Sequence, residues 1–185
     1  MWIFFVEAHT MITLFLLLFL SGSQPLTDEI VWQPGVELTW NDFTRRTGVP
    51  ELYKAFSHTG IRYEVTAPDG EVDISIIPFF SSAKSWVHVD FMNDNLLKHE
   101  RGHFYITVIY AQLMEDALKE FEVDADMFME GNLQVQVQEI FQAFYSEMDL
   151  AQGRYDKETE HGTNEEIQYK WDEWFKTKMA RKQGE

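Results

Sequence analysis

Two histidines and a glutamate stand at a spacing that suits metal-assisted hydrolysis. His99 and His103 are four residues apart in His99-Glu100-Arg101-Gly102-His103, within a segment whose apolar residues recur at helical spacing. On a helix their side chains lie about 40° apart around the axis and one turn apart along it, so both imidazoles can reach one ion. Zinc lowers the pKa of its bound water to about 7, and Glu100 can take the proton without being a ligand. The motif therefore predicts a zinc (Zn2+) site with Glu100 as general base.

A catalytic zinc site usually has three protein ligands and one open position, so a third ligand must come from elsewhere in the chain. The chain has no cysteine, which leaves His, Asp or Glu. We expect His161, which lies in a segment rich in ionisable residues and precedes Gly162, where the backbone can turn sharply. Asp156 is the alternative ligand, or else it orients one of the histidines. We expect Tyr155 to donate a hydrogen bond to the oxyanion formed at the substrate carbonyl.

Gly102 stands inside the predicted metal helix. Glycine in a helix interior is less favourable than alanine by about 1 kcal/mol. A helix that accepts this penalty usually needs the close approach of another backbone or of a ligand, so we expect such an approach at Gly102.

The hydrophobic pattern predicts strands first and helices afterwards. Strands are expected at 61–66 and 72–77, where apolar and polar residues alternate on either side of turn residues at 68–70, and at 85–89. Two short extended pieces are expected within 31–40, around Pro34-Gly35. Helices are predicted over 94–121, over 132–151, and from a capping box at Thr163 onward, with 152–162 as a loop. The fold class is α+β: a small antiparallel sheet in the N-terminal half packed against three helices, with the metal helix placed as in zincins.

The first 23 residues have the pattern of an export signal. The apolar run 11–20 is followed by Ser21-Gly22-Ser23, as in a cleavable signal peptide, although no Lys or Arg precedes the run. The alternative is an uncleaved N-terminal anchor. In either form we expect 24–185 to be a single domain outside the cytoplasm, secreted or in the periplasm or cell envelope.

The charge of the chain limits its partners. The 31 acidic and 15 basic residues give a formal net charge of −16. A field of this sign repels phosphate backbones and anionic membrane surfaces. We therefore expect no nucleic-acid partner and no membrane contact beyond the possible anchor.

Several motifs together resemble a family of exported bacterial proteins described as predicted secreted zinc-dependent proteases. The resemblance covers about residues 30–175, and Arg101 departs from it, because the family typically has Gln there. It implies a metallopeptidase-like site built on His99, Glu100, His103 and His161. The motifs are Trp40-Asn41-Asp42-Phe43, Ser85-Trp86-Val87, Leu96-Leu97-Lys98-His99-Glu100-Arg101-Gly102-His103-Phe104, Tyr155-Asp156-x-x-Thr159-x-His161-Gly162 and Gln168-x-x-Trp171.

Two functions of different classes are compatible with these residues. The first is an exported zinc-dependent hydrolase, a metallopeptidase acting on a peptide or another amide, whose substrate could lie along a sheet edge at 72–78 or 85–89. The second is a non-catalytic, metal-stabilised binding or scaffold domain of the cell envelope. The number of protein ligands distinguishes the two functions, because a fourth ligand would close the site and favour a structural role.

Overall fold

The computed structural model describes residues 28–49, 53–66, 72–119 and 132–180. The predicted signal segment, 1–23, and the predicted turn at 68–70 lie outside these ranges. Within the ranges, no helix is both long enough and apolar enough to cross a membrane.

The described residues form an α+β fold, as predicted, but with two small sheets instead of one. The strands are β1 (Glu29–Val31), β2 (Thr44–Arg46), β3 (Ala55–Phe56), β4 (Thr59–Thr66), β5 (Asp73–Ser81) and β6 (Trp86–His88). The helices are α1 (Asp94–Lys119), α2 (Asn132–Thr159) and α3 (Glu165–Ala180).

The first sheet has the order β1-β5-β4 and is antiparallel throughout. Strands β4 and β5 pair from Thr59↔Phe80 to Thr66↔Asp73, which confirms the predicted hairpin strands. Ile61, Tyr63 and Val65 are buried on alternate positions of β4, because successive side chains of a strand point to opposite faces.

The second sheet has the order β2-β6-β3, with β2 parallel and β3 antiparallel to β6. It contains the predicted strand at 85–89 as its central strand, shortened to Trp86–His88. The second extended piece expected within 31–40 is not a strand: after the turn at Gly35, Trp40–Asp42 form a 3-10 turn.

Helix α1 lies in the middle of the structure and contacts both sheets and both other helices. One core cluster joins the first sheet to all three helices, with Ile61, Ile106 and Phe141 among its members. A second joins the second sheet to the first half of α1, with Val87 and Phe104 among its members. The helix that carries the His-Glu-x-x-His motif is therefore held on several sides.

Helix α2 is longer than its sequence pattern indicated. It was predicted to end near Ala151, with a loop over 152–162, but it continues to Thr159. The prediction was wrong because the exposed polar residues of this stretch hide a buried face, in which Ala151, Tyr155 and Thr159 recur every fourth position.

The connection to α3 is a tight turn. Glu160 and His161 have φ angles of 51° and 53°, and Gly162 has a φ of 80°. The backbone N–H of Ile167 bonds to Oδ1 of Asn164, so Asn164 caps α3, one residue later than the predicted cap at Thr163.

Candidate metal site and its cleft

Helix α1 brings His99 and His103 together on one face, as the spacing predicted. Their rings lie edge to face with centroids 4.9 Å apart. His99 is almost fully buried, with 2% of its surface exposed, and His103 is partly exposed. Arg101 points elsewhere, since its Nε donates to the carbonyl of Leu38 at 2.6 Å.

The third potential ligand at this point is Asp156, on α2. Its Oδ1 lies 3.1 Å from Nε2 of His99 and 3.1 Å from Nε2 of His103. One ligand atom from each of these three residues lies within 4.8 Å of the other two, a group that could hold a metal ion.

His161, our first choice as third ligand, lies beside this group and not in it. It is 57% exposed, and its Nδ1 is 3.3 Å from Oδ1 of Asp156. The difference follows from the length of α2. Asp156 is on the helix and faces α1, whereas His161 lies in the left-handed turn after the helix ends.

The hydrogen bonds of Gln152 define the orientation of the His103 ring. The Nε2 of Gln152 lies 3.0 Å from the carbonyl of His103, which can only accept, so this nitrogen is the donor. Its Oε1 then faces Nδ1 of His103 at 2.7 Å. An amide oxygen only accepts, so the proton of this pair is on Nδ1, and a neutral His103 presents a lone pair at Nε2.

The same argument applies to His99. The Nε2 of Gln168 lies 3.1 Å from a carboxylate oxygen of Asp172, which can only accept, so Oε1 of Gln168 faces Nδ1 of His99, at 3.3 Å. Thr159 donates its hydroxyl to the carbonyl of Tyr155 at 2.6 Å, and its oxygen lies 3.3 Å from the same Nδ1. A neutral His99 therefore also presents its lone pair at Nε2.

Three acceptor atoms thus meet at one point: two imidazole nitrogens and a carboxylate oxygen. Lone pairs at such separations repel unless a positive charge lies between them, either a proton or a metal ion. Burial alone lowers the pKa of His103, but the hydrogen bond that its protonated ring donates to Asp156 and the charges of Glu100 and Asp156 outweigh it and raise that pKa. Burial likewise raises the pKa of Asp156, yet its hydrogen bonds to His103 and His99 leave it well below its usual range.

Tyr155 has a position that does not fit the expected oxyanion role. Its side chain is fully buried, and its ring stacks on His99 with centroids 4.7 Å apart. The hydroxyl lies 3.1 Å from the carbonyl of His99 and accepts a hydrogen bond from Gln168 at 2.7 Å. Burial raises the pKa of this hydroxyl far above its ordinary value. Tyr155 therefore supports the ring of His99 from behind and does not face a substrate.

The close approach expected at Gly102 is made by Tyr155. A Cβ at position 102 would lie 2.1 Å from the Tyr155 hydroxyl oxygen. A second close approach occurs at Gly162, where a Cβ would lie 2.7 Å from Cβ of His99. Both glycines therefore allow α2 and the turn after it to pack directly on the metal-binding face of α1.

A cleft of about 520 Å³ opens over the three potential ligands. Its floor is the first half of α1, one wall is α2 with the turn after it, and the other wall is the segment 53–59. Glu100 lines this cleft, and the hydroxyl of Ser57 lies 2.6 Å from its Oε2 and 3.2 Å from its backbone carbonyl. Ser57, in the wall formed by 53–59, therefore holds the Glu100 side chain next to the three potential ligands.

Sequence reasoning missed Gln152, Gln168 and Ser57. Gln152 stands one helical turn before Asp156, a spacing that is informative only once 152–159 is known to be helical. Gln168 was noted in Gln168-x-x-Trp171 but without a role. Nothing in the local sequence indicates that Ser57 reaches Glu100, because the two residues meet only through the tertiary fold.

Residues 80–162 match the sequence profile of a family described as bacterial protein of unknown function (DUF922). The matched range includes α1 with its histidines, and α2 with Asp156, and it ends at Gly162. No curated protein and no solved structure matches the chain.

Proposed function

We propose that this protein is a zinc-dependent hydrolase, a metallopeptidase whose zinc is held by His99, His103 and Asp156. The observation that carries the proposal is the convergence of three acceptor atoms, with both histidines turned by hydrogen bonds at Nδ1 so that Nε2 faces the same carboxylate oxygen. Two imidazoles and one carboxylate form a ligand set found in catalytic zinc sites. The motif resemblance to predicted secreted zinc-dependent proteases supports the same assignment.

Glu100 is the base in this proposal. Zinc supplies Lewis acidity, which lowers the pKa of water and polarises a substrate carbonyl. Glu100 follows His99 on α1, and Ser57 fixes one of its carboxylate oxygens, Oε2. Glu100 would then take a proton from the attacking water and return it to the leaving amine.

The wall formed by 53–59 supports a peptide as the substrate. Of the strands suggested earlier as substrate edges, 85–89 is unsuitable because β6 is paired on both sides. The stretch 72–78 of β5 is not covered by β1, which pairs with Phe79–Ser81, but it does not line the cleft. Among the described residues β3 is an edge strand, and the backbone carbonyl of Lys54 just before it accepts a hydrogen bond from the N–H of His88 in β6. Backbone groups alternate in direction along a strand, so those of Ala55 face away from β6, on the side of the cleft. An extended peptide can pair there by strand addition.

A non-catalytic, metal-stabilised envelope module is the second candidate. It is favoured by one observation, the 3.3 Å separation between Nδ1 of His161 and the oxygen of Asp156. If His161 moved onto the metal, the site would have four protein ligands and no open position, as in structural zinc sites.

Metal binding tests the ligand set directly. The purified protein is stripped with a chelator, and zinc stoichiometry and affinity are measured by competition with a chromophoric chelator. We expect one zinc per chain in the wild type and in His161→Ala. Removing a residue that only supports a ligand typically lowers metal affinity by ~10–100-fold. Asp156→Ala removes a proposed ligand, so its zinc affinity should fall by at least that factor. A strong loss in His161→Ala would favour the structural site, and no zinc in the wild type would contradict the proposal.

Hydrolysis tests the role of Glu100. Zinc-loaded wild type and Glu100→Gln are incubated with a mixture of unstructured peptides, and new termini are identified by mass spectrometry. Glu100→Gln should bind zinc normally and produce no new termini above the protein-free control. Equal cleavage by both proteins would contradict a base at this position.

Export is also part of the proposal, and it rests on the apolar run 11–20 and the small residues 21–23. We expect cleavage close to residue 23 when the full chain is expressed in a bacterium with an outer membrane. N-terminal sequencing of the protein recovered from the periplasm measures it. Recovery of the intact chain in the membrane fraction would support the N-terminal anchor instead.

A further inference from the structure

We propose that Gln152 and Gln168 are positioning residues that hold His103 and His99 in the zinc-binding tautomer, and that Gln168 is itself oriented by Asp172. This inference rests on the proposed zinc site and names the residues that set its affinity. Neither glutamine is a ligand, because each contacts the Nδ1 nitrogen of its histidine, on the opposite side of the ring from the ligand atom.

Each glutamine has a defined orientation, because one partner of its NH2 group, a carbonyl or a carboxylate oxygen, can only accept. The NH2 of Gln152 bonds to the carbonyl of His103 at 3.0 Å and to the hydroxyl of Thr107 at 3.2 Å. The NH2 of Gln168 bonds to Asp172 at 3.1 Å and to the Tyr155 hydroxyl at 2.7 Å. Reversing either amide would place its oxygen against another acceptor, so each amide oxygen stays directed at Nδ1.

The orientation of Gln168 depends on an ion pair at the edge of the structure. Nζ of Lys98 lies 2.5 Å from Oδ2 of Asp172, while Oδ1 of Asp172 accepts from Gln168. Lys98 immediately precedes His99 on α1, so the ion pair, the amide and the imidazole form a closed loop between α1 and α3. Asp172 is therefore predicted to influence the metal site although it does not line the cleft.

Metal affinity is one readout. Gln152→Met and Gln168→Met have nearly the size of the native side chain but no amide oxygen, and each should weaken zinc binding by ~10–100-fold. Asp172→Asn keeps the shape and removes the charge, and it should weaken zinc binding in the same direction. Glu173→Gln breaks an exposed ion pair with Lys176 on the same helix and should leave the affinity unchanged. Affinities of Gln152→Met and Gln168→Met within threefold of wild type would overturn the inference.

The tautomer itself is the second readout, and a purely structural role would not change it. Long-range 15N NMR distinguishes a proton on Nδ1 from one on Nε2 in a neutral imidazole. It is recorded on metal-free Asp156→Ala, in which no carboxylate can accept a hydrogen bond from Nε2, above the pH at which the ring 15N shifts stop changing. Both His99 and His103 should show Nδ1–H there, and adding Gln152→Met or Gln168→Met should abolish that preference at its own histidine. A proton on Nε2 of either ring before the Met change would overturn the inference. Nδ1–H in this background, together with a wild type that binds no zinc, would refute the metal site while leaving the tautomer assignment intact.

Discussion

Replacing Gly102 with alanine tests the packing behind the metal site. The change should strengthen α1 as an isolated helix, because alanine is the better helix former by ~1 kcal/mol. In the folded protein, however, the new methyl group would lie 2.1 Å from the Tyr155 hydroxyl oxygen and 2.4 Å from the ring carbon that bears it. Tyr155 would have to move away from α1, and its ring is stacked on His99.

The balance of these effects sets the expected magnitude. Overpacking in a well-packed interior typically destabilises by ~1–3 kcal/mol. Moving the hydroxyl also weakens its hydrogen bonds with the His99 carbonyl and with Gln168. Together this should lower the free energy of unfolding by about 1 kcal/mol. After the helix gain of ~1 kcal/mol is subtracted, the net destabilisation is ~1–3 kcal/mol. For a domain of this size that corresponds to a melting temperature lower by ~2–12 °C.

Gly153 provides a matched control. It lies on the exposed side of α2, and a Cβ there would meet no atom within 4 Å. Gly153→Ala should therefore raise the melting temperature, by ~1–4 °C, through helix propensity alone. Both variants are measured metal-free by calorimetry, and zinc affinity is then measured for each, with a decrease expected only for Gly102→Ala. If both variants were stabilised to the same extent, the packing argument for Gly102 and Tyr155 would be refuted.

Two further predictions concern the charges of the site. Zinc affinity should rise with pH and level off above the raised pKa of His103, because binding must displace its proton. The stability of the metal-free protein should depend on pH in the opposite direction, and fall as pH rises through the pKa of His103. The stabilisation from His103 is complete below about pH 6.5 and is lost as pH rises through its raised pKa, whereas that from Asp156 is present above about pH 3.9 and is lost as pH falls through its lowered pKa. Calorimetry between pH 3 and 9 measures the His103 effect and the onset of the Asp156 loss, and metal-free stability that increased from pH 6 to 9 would contradict the expectation. Ser57→Ala should lower cleavage by about tenfold through misplacement of Glu100 and leave zinc affinity within threefold, and unchanged cleavage would show that the contact is not needed.

The metal helix could be predicted because its information is local. The apolar positions of 94–119 recur at the helical period, and the helix geometry alone places His99 and His103 together. The α+β class was also predictable from local patterns: apolar and polar residues alternate in the strand segments, and the apolar period becomes helical near Asp94. The division into two sheets, with a parallel pair between β2 and β6, joins segments far apart in the chain and leaves no local signal.

The sequence placed His161 ahead of Asp156 as third ligand because it put the end of α2 near Ala151. With 152–162 taken as a loop, His161 and Asp156 were equally free to reach the metal, and imidazole was the preferred ligand. As a helix, the same stretch directs Asp156 and Gln152 to one face and leaves His161 beyond its end. The same boundary hid the position of Tyr155, whose buried place on the helix directs its hydroxyl into the core.

The turn at 160–162 has a consequence for how this protein can vary in length. Two non-glycine residues with positive φ are each unfavourable by ~1–3 kcal/mol, and the surrounding contacts must hold them in place. The turn reverses the chain so that Asp156 on one helix and Gln168 on the next reach opposite nitrogens of the same His99 ring. A single inserted or deleted residue between these two positions would rotate one helix face by about 100° relative to the other. The spacing from Asp156 to Gln168 should therefore be intolerant of insertions and deletions, while the two sheets can accept them in their connecting loops.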